Sequence, residues 1–292
     1  MAPLPEALEG NATLLPEGSR SDRLEGSPPN TPRIHPMIDL SIANNLAELT
    51  LNIPDKLNAL NDAALAELGT RLQEAQSAGV RALLIRGEGR AFCAGRDISA
   101  VDPETDDALA FLKDSFGPVM RTLADFPAPT FAAAHGACLG IGLGLLIATD
   151  VVYVADGAKF GSPFANLGAV LDSGGHSLFF ERLGAHRALD LIYTGELMSG
   201  AEAVAAGLFS RAIPDAELLD FARSKATTAA SGATQAFLAS KNLIAQLRDD
   251  RVGLWESVAA ENVEQERLRT TADYREGFAA FQQKRRATFT GE

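Results

Sequence analysis

The chain has 292 residues, of which 46% are hydrophobic and 22% charged, so it is long enough to bury a core without disulfide or metal support. Its net charge of −12 disfavours nucleic acids and anionic membrane surfaces as partners. No apolar run reaches membrane-spanning length and neither cysteine has metal-ligand spacing to another Cys or His, which predicts a soluble, cytoplasmic protein without a metal site.

Residues 1–36 are rich in proline and lack hydrophobic periodicity, so we expect a disordered N-terminal extension. Its scattered acidic residues argue against a transit peptide, and the lack of an apolar stretch argues against a signal peptide. The folded part of the chain is therefore expected to begin at Met37.

Short strands alternate with helices from Met37 onward. Residues 38–42 and 47–51 alternate apolar and polar side chains, which predicts a hairpin, and Asn61 can cap a helix with leucines at helical spacing. The next predicted elements are a strand at 81–85, a helix at 106–126, a strand at 130–134, a helix at 142–148 and a strand at 151–154.

Beyond residue 172 the pattern predicts helices to the end of the chain. Ser199 and Glu202 have the spacing of a capping box. Four further helices are expected to start near residues 215, 234, 252 and 271. The pattern therefore predicts an α/β fold in which a βα-rich core precedes a helical tail.

Two glycine-rich stretches, at residues 90–97 and 135–144, each follow a predicted strand. Glycine and alanine let main-chain N–H groups approach a ligand closely, and two such groups could form an oxyanion hole. The alternatives are that Cys93 is a small buried hydrophobic residue and that Gly140, Gly142 and Gly144 serve close helix packing.

Five segments in this order resemble the enoyl-CoA hydratase/isomerase (crotonase) family. They are Lys56–Leu60, Ala91–Ile98, Gly136–Asp150, Phe160–Pro163 and Glu276–Arg285. The resemblance covers residues 37–292 and implies a ClpP-like spiral of ββα repeats over 37–225 with a helical trimerisation region over 226–292. It also implies acyl-CoA substrates, no tightly bound cofactor beyond the coenzyme A of the substrate, and a homotrimer or a dimer of trimers.

The resemblance assigns roles to particular residues. It implies that the backbone N–H groups of Cys93 and Ile141 form the oxyanion hole. It implies that Phe281 and Lys284 contact coenzyme A bound to a neighbouring subunit, although Arg285 and Arg286 could instead neutralise a helix C-terminus. The remaining implied substrate and coenzyme A contacts are Lys56, Leu57, Ala59, Ala91, Ala94, Gly95, Arg96, Asp97, Ile98, Gly140 and Phe164.

The sequence departs from family hydratases at their two catalytic glutamates, which align with Gly144 and Phe164. Asp172 is the carboxylate left in this neighbourhood, and it matches an acid/base aspartate of family isomerases. The Asp-x-Gly-Gly loop and the run from Ala272 to Gly277 resemble 2-(1,2-epoxy-1,2-dihydrophenyl)acetyl-CoA isomerases. We therefore expect an isomerase in which Asp172, its pKa raised by burial, moves a proton.

Three alternatives stay open at this point. Asp172 could simply cap the helix that begins at Ser173. The protein could be an enoyl-CoA hydratase whose water is activated by another residue. It could also bind acyl-CoA without catalysis.

Overall fold

A computed structural model describes residues 36–102 and 104–292, in which Pro36–Glu292 form one unit. The extension predicted for residues 1–36 lies outside the described residues, apart from Pro36. Among the described residues, none of the helices combines the length and the apolar character needed to cross a lipid bilayer.

A six-stranded sheet forms the centre of this unit. All of its neighbouring strands are parallel except the first two, which form the predicted antiparallel hairpin. In sheet order the strands are β1 (Ile38–Ala43), β2 (Leu46–Leu51), β3 (Ala82–Gly87), β4 (Thr130–Ala134), β6 (Val151–Ala155) and β9 (Arg211–Ile213). A second sheet contains β5 (Ala137–Cys138), β7 (Lys159–Gly161) and β8 (Leu197–Ser199).

Helices cover the central sheet and make up most of the chain after residue 174. The first half contains α1 (Asp62–Ser77), α2 (Ala108–Ala110), a π-helical segment (Phe111–Phe116), α3 (Gly117–Ala124) and α4 (Ile141–Ile147), with short 3₁₀ turns at Pro54–Lys56 and Pro163–Leu167. The second half contains α5 (Gly175–Thr194), α6 (Gly200–Ala205), α7 (Leu218–Ala230), α8 (Thr234–Asp249), α9 (Leu254–Leu268) and α10 (Ala272–Gln282).

Most predicted elements are confirmed, and two expectations are wrong. The capping box of Ser199 and Glu202 opens α6, and α7 to α10 start within three residues of the expected positions. Strands β8 and β9 interrupt the region expected to be all helical. They were not predicted because three-residue strands are too short to show a period. The helix expected at 106–126 is split by the π-helical segment. The division after residue 225 falls inside α7 and stays a prediction.

The sheet brings the two glycine-rich stretches to one edge. Strands β3 and β4 are parallel neighbours, and Ala82 to Ile85 of β3 are fully buried, which explains their continuous apolar sequence. Each glycine-rich stretch leaves the carboxyl end of one of these strands. Because the carboxyl ends of parallel strands lie at the same edge, the two stretches meet there.

Candidate functional site

The two glycine-rich stretches lie side by side in a short parallel ladder. Cys93 and Cys138 pair as an isolated bridge, in which the Cys93 N–H donates to the Ala137 carbonyl at 3.1 Å and the Leu139 N–H donates to the Cys93 carbonyl at 3.1 Å. The Cys93 amide is therefore occupied by a backbone acceptor. The prediction that Cys93 supplies an oxyanion donor is corrected on this ground: its amide and carbonyl hold the two stretches together.

The two stretches touch at Gly95 and Gly140. Gly95 has φ +116°, and a Cβ atom there would lie 3.2 Å from the Leu139 carbonyl oxygen. A Cβ atom at Gly140, which has φ +53°, would lie 3.5 Å from the Gly95 Cα. Both backbone conformations favour glycine, and the close approach leaves little room for a side chain.

The residue after each of these glycines carries a free amide. The Gly95 carbonyl accepts the Leu60 N–H at 2.9 Å, and the Gly140 carbonyl accepts the Gly144 N–H at 3.1 Å. In a planar trans peptide the C=O and the following N–H point in opposite directions, so the amides of Arg96 and Ile141 point away from these partners. Neither amide has an acceptor among the described residues. Arg96 thus carries a free amide in the first glycine-rich stretch, where the sequence analysis had expected the one of Cys93.

The space where family hydratases carry a catalytic glutamate is filled at Gly144. A Cβ atom at Gly144 would lie 2.7 Å from the Ser173 Cβ and 2.8 Å from Cζ of the buried Phe116 ring. The second such position holds Phe164, whose Cζ would lie 3.4 Å from a Cβ atom at Gly140. This surface beside the free amides is therefore apolar and closely packed.

Asp172 lies next to this surface, on the loop between the second 3₁₀ turn and α5. The Ser173 hydroxyl donates to the Asp172 carboxylate at 2.7 Å, and Ser173 contacts Gly144, one helical turn along α4 from Ile141. The side chain is half-buried. Desolvation raises the pKa of Asp172, while the Ser173 hydrogen bond lowers it by less, so the net direction is upward.

The structure overturns the capping alternative for Asp172. Helix α5 has Gly174, with φ +86°, at its N-cap position, and no side chain accepts a hydrogen bond there. Only the backbone carbonyl of Asp172 takes part in the turn, accepting the Gly175 N–H at 3.0 Å. The carboxylate is therefore left without a helix-capping role, and its one recorded hydrogen bond is to Ser173.

Two of the cations predicted to contact coenzyme A, Lys56 and Arg96, are paired with carboxylates. Lys56 donates to Asp97 at 2.6 Å and to Ser99 at 3.3 Å. The Lys56 hydrogen bond, together with those from the Ser99 hydroxyl at 2.6 Å and the Ser99 N–H at 3.0 Å, lowers the pKa of Asp97 to about 2. Arg96 binds Asp106 through two hydrogen bonds, of 2.6 and 2.8 Å. Both pairs border one cavity of about 450 Å³. Three more aspartates, Asp62, Asp102 and Asp107, also line it.

A buried asparagine joins the other predicted contact residues. Asn58 is fully buried, and its side-chain amide donates to the Glu88 carbonyl at 2.9 Å and to the Ala91 carbonyl at 2.7 Å. It therefore ties the turn after Lys56 to the first glycine-rich stretch. The remaining predicted contact residues lie in these two joined segments: Leu57, Ala59, Ala94 and Ile98.

The C-terminal residues expected to contact coenzyme A lie apart from this cavity. Phe281, at the end of α10, is 84% exposed and borders a separate apolar cavity of about 370 Å³ with Tyr274, Phe278 and Phe289. Lys284 follows it. Their role toward a neighbouring subunit stays a prediction. Arg285, by contrast, binds Glu276 through two hydrogen bonds, of 2.6 and 2.7 Å.

Comparisons with known proteins identify a family. A family model described as enoyl-CoA hydratase/isomerase matches residues 41–292. The chain is 33% identical to a Rhodobacter capsulatus protein named "Probable enoyl-CoA hydratase", covering 87% of this chain and 98% of that protein. It is 32% identical to the Escherichia coli 1,2-epoxyphenylacetyl-CoA isomerase, covering 86% and 97%. The crystal structure of a Bacillus anthracis enoyl-CoA hydratase superposes with a TM-score of 0.78 at 29% identity, covering 88% and 100%.

Proposed function

Because the chain belongs to the enoyl-CoA hydratase/isomerase family and has its crotonase fold, it is an acyl-CoA-processing enzyme, and we propose that it isomerises its substrate through a thioester enolate. The observation that carries this proposal is the combination of two free amides with a half-buried carboxylate, Asp172, that has no ion-pair partner among the described residues. Coenzyme A enters as part of the substrate.

The amides of Arg96 and Ile141 bind the thioester oxygen. Both are main-chain donors held from behind by hydrogen bonds to the preceding carbonyl, so they need not reorganise as negative charge develops. Loss of one such donor typically costs about 10²–10³ in rate. The apolar ring of Phe164 beside Gly140 excludes water from this oxygen and strengthens the interaction.

Asp172 moves the proton. Its carboxylate takes a proton from carbon, the C–H electron pair forms the enolate C=C bond, and the thioester carbonyl pair moves onto the oxygen held by the two amides. Asp172 exchanges this proton with solvent and returns one at another carbon, which gives the isomer with no net gain or loss of atoms. The raised pKa makes the carboxylate a stronger base than an exposed aspartate.

Hydration is a second candidate, favoured by the names of several relatives. Addition of water needs a positioned base and a positioned acid, and each typically contributes about 10²–10⁴ in rate. Gly144 and Phe164 supply neither, and Phe116 and Ser173 fill the space beside Gly144. Isomerisation by one carboxylate therefore fits this site better. The similarity to an epoxyphenylacetyl-CoA isomerase favours a ring-bearing acyl group.

We further propose that the subunits assemble as a homotrimer or a dimer of trimers through the C-terminal helices. Trp255 of α9 is 79% exposed and Phe281 of α10 is 84% exposed, which is unusual for large apolar side chains. Assembly would place Phe281 and Lys284 near coenzyme A on a neighbouring subunit. The cysteines are both free and buried, which suits a reducing compartment such as the cytoplasm.

A panel of phenylacetyl-type and straight-chain CoA thioesters in deuterium oxide tests the function. We expect substrate-dependent deuterium uptake without loss of the conjugated enoyl absorbance of crotonyl-CoA. Loss of that absorbance would support the hydratase instead. If no thioester exchanges deuterium or changes its double-bond position, the protein binds acyl-CoA without catalysis and the proposal fails.

A further inference from the structure

The side chain of Arg96 connects one proposed oxyanion donor, the Arg96 N–H, to the helical run formed by α2, the π-helical segment and α3. Its guanidinium makes two hydrogen bonds to Asp106, of 2.6 and 2.8 Å, and its Cζ atom lies 4.0 Å from the centroid of the Phe111 ring. Two segments of the chain therefore meet at one side chain. The Arg96 and Asp106 side chains are 22% and 21% exposed, so water screens this pair less than an ordinary surface pair.

At its other end the same helical run packs beside Ser173, the hydrogen-bond donor to Asp172. Phe111 and Phe116 are the first and last residues of the π-helical segment. Phe111 lies under Arg96, whereas Phe116 packs against Gly144 beside Ser173, the residue that hydrogen-bonds Asp172. Segments of this kind are frequent at functional sites because the extra residue changes which side chains face a neighbour. One rigid segment thus contacts both the donor side and the carboxylate side of the site.

The backbone at Arg96 needs such support. The Leu60 N–H donates to the Gly95 carbonyl at 2.9 Å and the Asp97 N–H donates to the Leu60 carbonyl at 2.9 Å, so both backbone hydrogen bonds that flank Arg96 go to one residue. Gly95 has φ +116° and little intrinsic conformational preference. The Arg96 side chain supplies a further anchor, to the helical run.

We infer that Arg96 and Asp106 act as positioning residues: their ion pair, stacked on Phe111, fixes the Arg96 amide relative to Asp172. The inference rests on the proposed function. It gives the guanidinium a task within the protein rather than on a coenzyme A phosphate. It also explains why an arginine and an aspartate ten residues apart are needed where the donor itself is a backbone atom.

Asp106→Asn tests this inference, because its amide nitrogen would face a guanidinium N–H and break the two-bond pairing. We expect kcat for deuterium exchange to fall between about tenfold and a hundredfold, less than for loss of a whole donor. KM should stay within about twofold, because the lost support acts mainly in the transition state. Arg96→Met, which keeps the amide and the side-chain length, should show the same loss.

Cinnamoyl-CoA provides a readout that a merely structural role would not move. Polarisation of its carbonyl by the two amides shifts its ultraviolet absorbance to longer wavelength, and we expect a smaller shift in Asp106→Asn. The matched control is Asp249→Asn, which breaks another two-bond pair, that of Arg248 with Asp249 at 2.7 and 2.9 Å, on α8. It should leave kcat and the spectral shift unchanged.

The outcomes separate this inference from the proposed function. If the wild-type protein neither exchanges deuterium nor shifts the absorbance, the proposed function fails and the inference fails with it. If the wild type exchanges but Asp106→Asn is equally active, only the positioning role is overturned. A lower kcat with an unchanged spectral shift also overturns it, because the Arg96 amide would then be in place.

Discussion

Replacing Asp172 with Asn removes the proposed proton carrier with little change of shape. The Ser173 hydroxyl, which donates to the carboxylate at 2.7 Å, can donate to the amide oxygen of Asn in the same place. The free amides of Arg96 and Ile141 are untouched. The substitution therefore separates proton transfer from binding and from oxyanion stabilisation.

The expected loss of rate follows from the role of the carboxylate. A positioned acid/base contributes about 10²–10⁴ in rate, or roughly 3–5 kcal/mol of barrier, and Asn cannot accept the proton. The free energy of unfolding, by contrast, should rise or stay the same. Because burial raises the pKa of Asp172, the ionised form is disfavoured in the folded state, and its stability cost grows as pH rises through that pKa. At neutral pH a neutral Asn removes this cost.

Mass spectrometry of the acyl-CoA after incubation in deuterium oxide measures the exchange, and thermal unfolding measures stability. We expect the Asp172→Asn protein to lose exchange while its Tm stays equal or rises. Asp249→Asn is a suitable control, since it exchanges the same residue types on another helix, α8. An undiminished exchange rate would refute the acid/base role, and a large fall in Tm would show that Asp172 is structural.

Three further predictions concern the same site. Gly144→Glu should not create a hydratase, because the new Cβ would lie 2.8 Å from the Phe116 ring. We expect urea titration to show a loss of about 1–3 kcal/mol in the free energy of unfolding, and the absorbance of crotonyl-CoA to stay unchanged. The exchange rate should fall as the pH drops through the pKa of Asp172. Because burial raises that pKa, the midpoint of the fall in a pH–rate profile should lie above pH 3.8, the usual value for an aspartate. Iodoacetamide should label neither thiol of the folded protein at mildly alkaline pH, because burial raises the pKa of Cys93 to about 12 and that of Cys138 well above its usual value. In denaturant both thiols should react, and peptide mass spectrometry would detect the labels.

Sequence patterns predicted the long elements and missed the short or irregular ones. The hairpin of β1 and β2 and the buried strand β3 have six residues each, enough to show alternation or a continuous apolar run. Strand β9 has three residues and no readable period. The π-helical segment at 111–116 was also missed, because its apolar side chains fit an ordinary helix pattern.

The sequence analysis predicted which segments contain the candidate site, but not which backbone N–H groups in them are free. The motif at 90–97 predicted a backbone donor, but every residue in it carries the same N–H group, so the sequence could not tell which one is free. Only the hydrogen bond from Cys93 to Ala137 and the one from Leu60 to Gly95 decide the matter. Asp172 was identified because a carboxylate, unlike an amide, is a distinctive side chain.

Donors that belong to the main chain have a consequence for mutagenesis. An alanine scan would pass over Ile141 without altering its N–H, and at Arg96 it would report the guanidinium instead of the amide. Proline, which lacks the hydrogen, or an ester linkage introduced by chemical synthesis would delete the donor itself. A different side chain at position 141 would keep the same N–H group, whereas a change at position 96 would also remove the ion pair with Asp106.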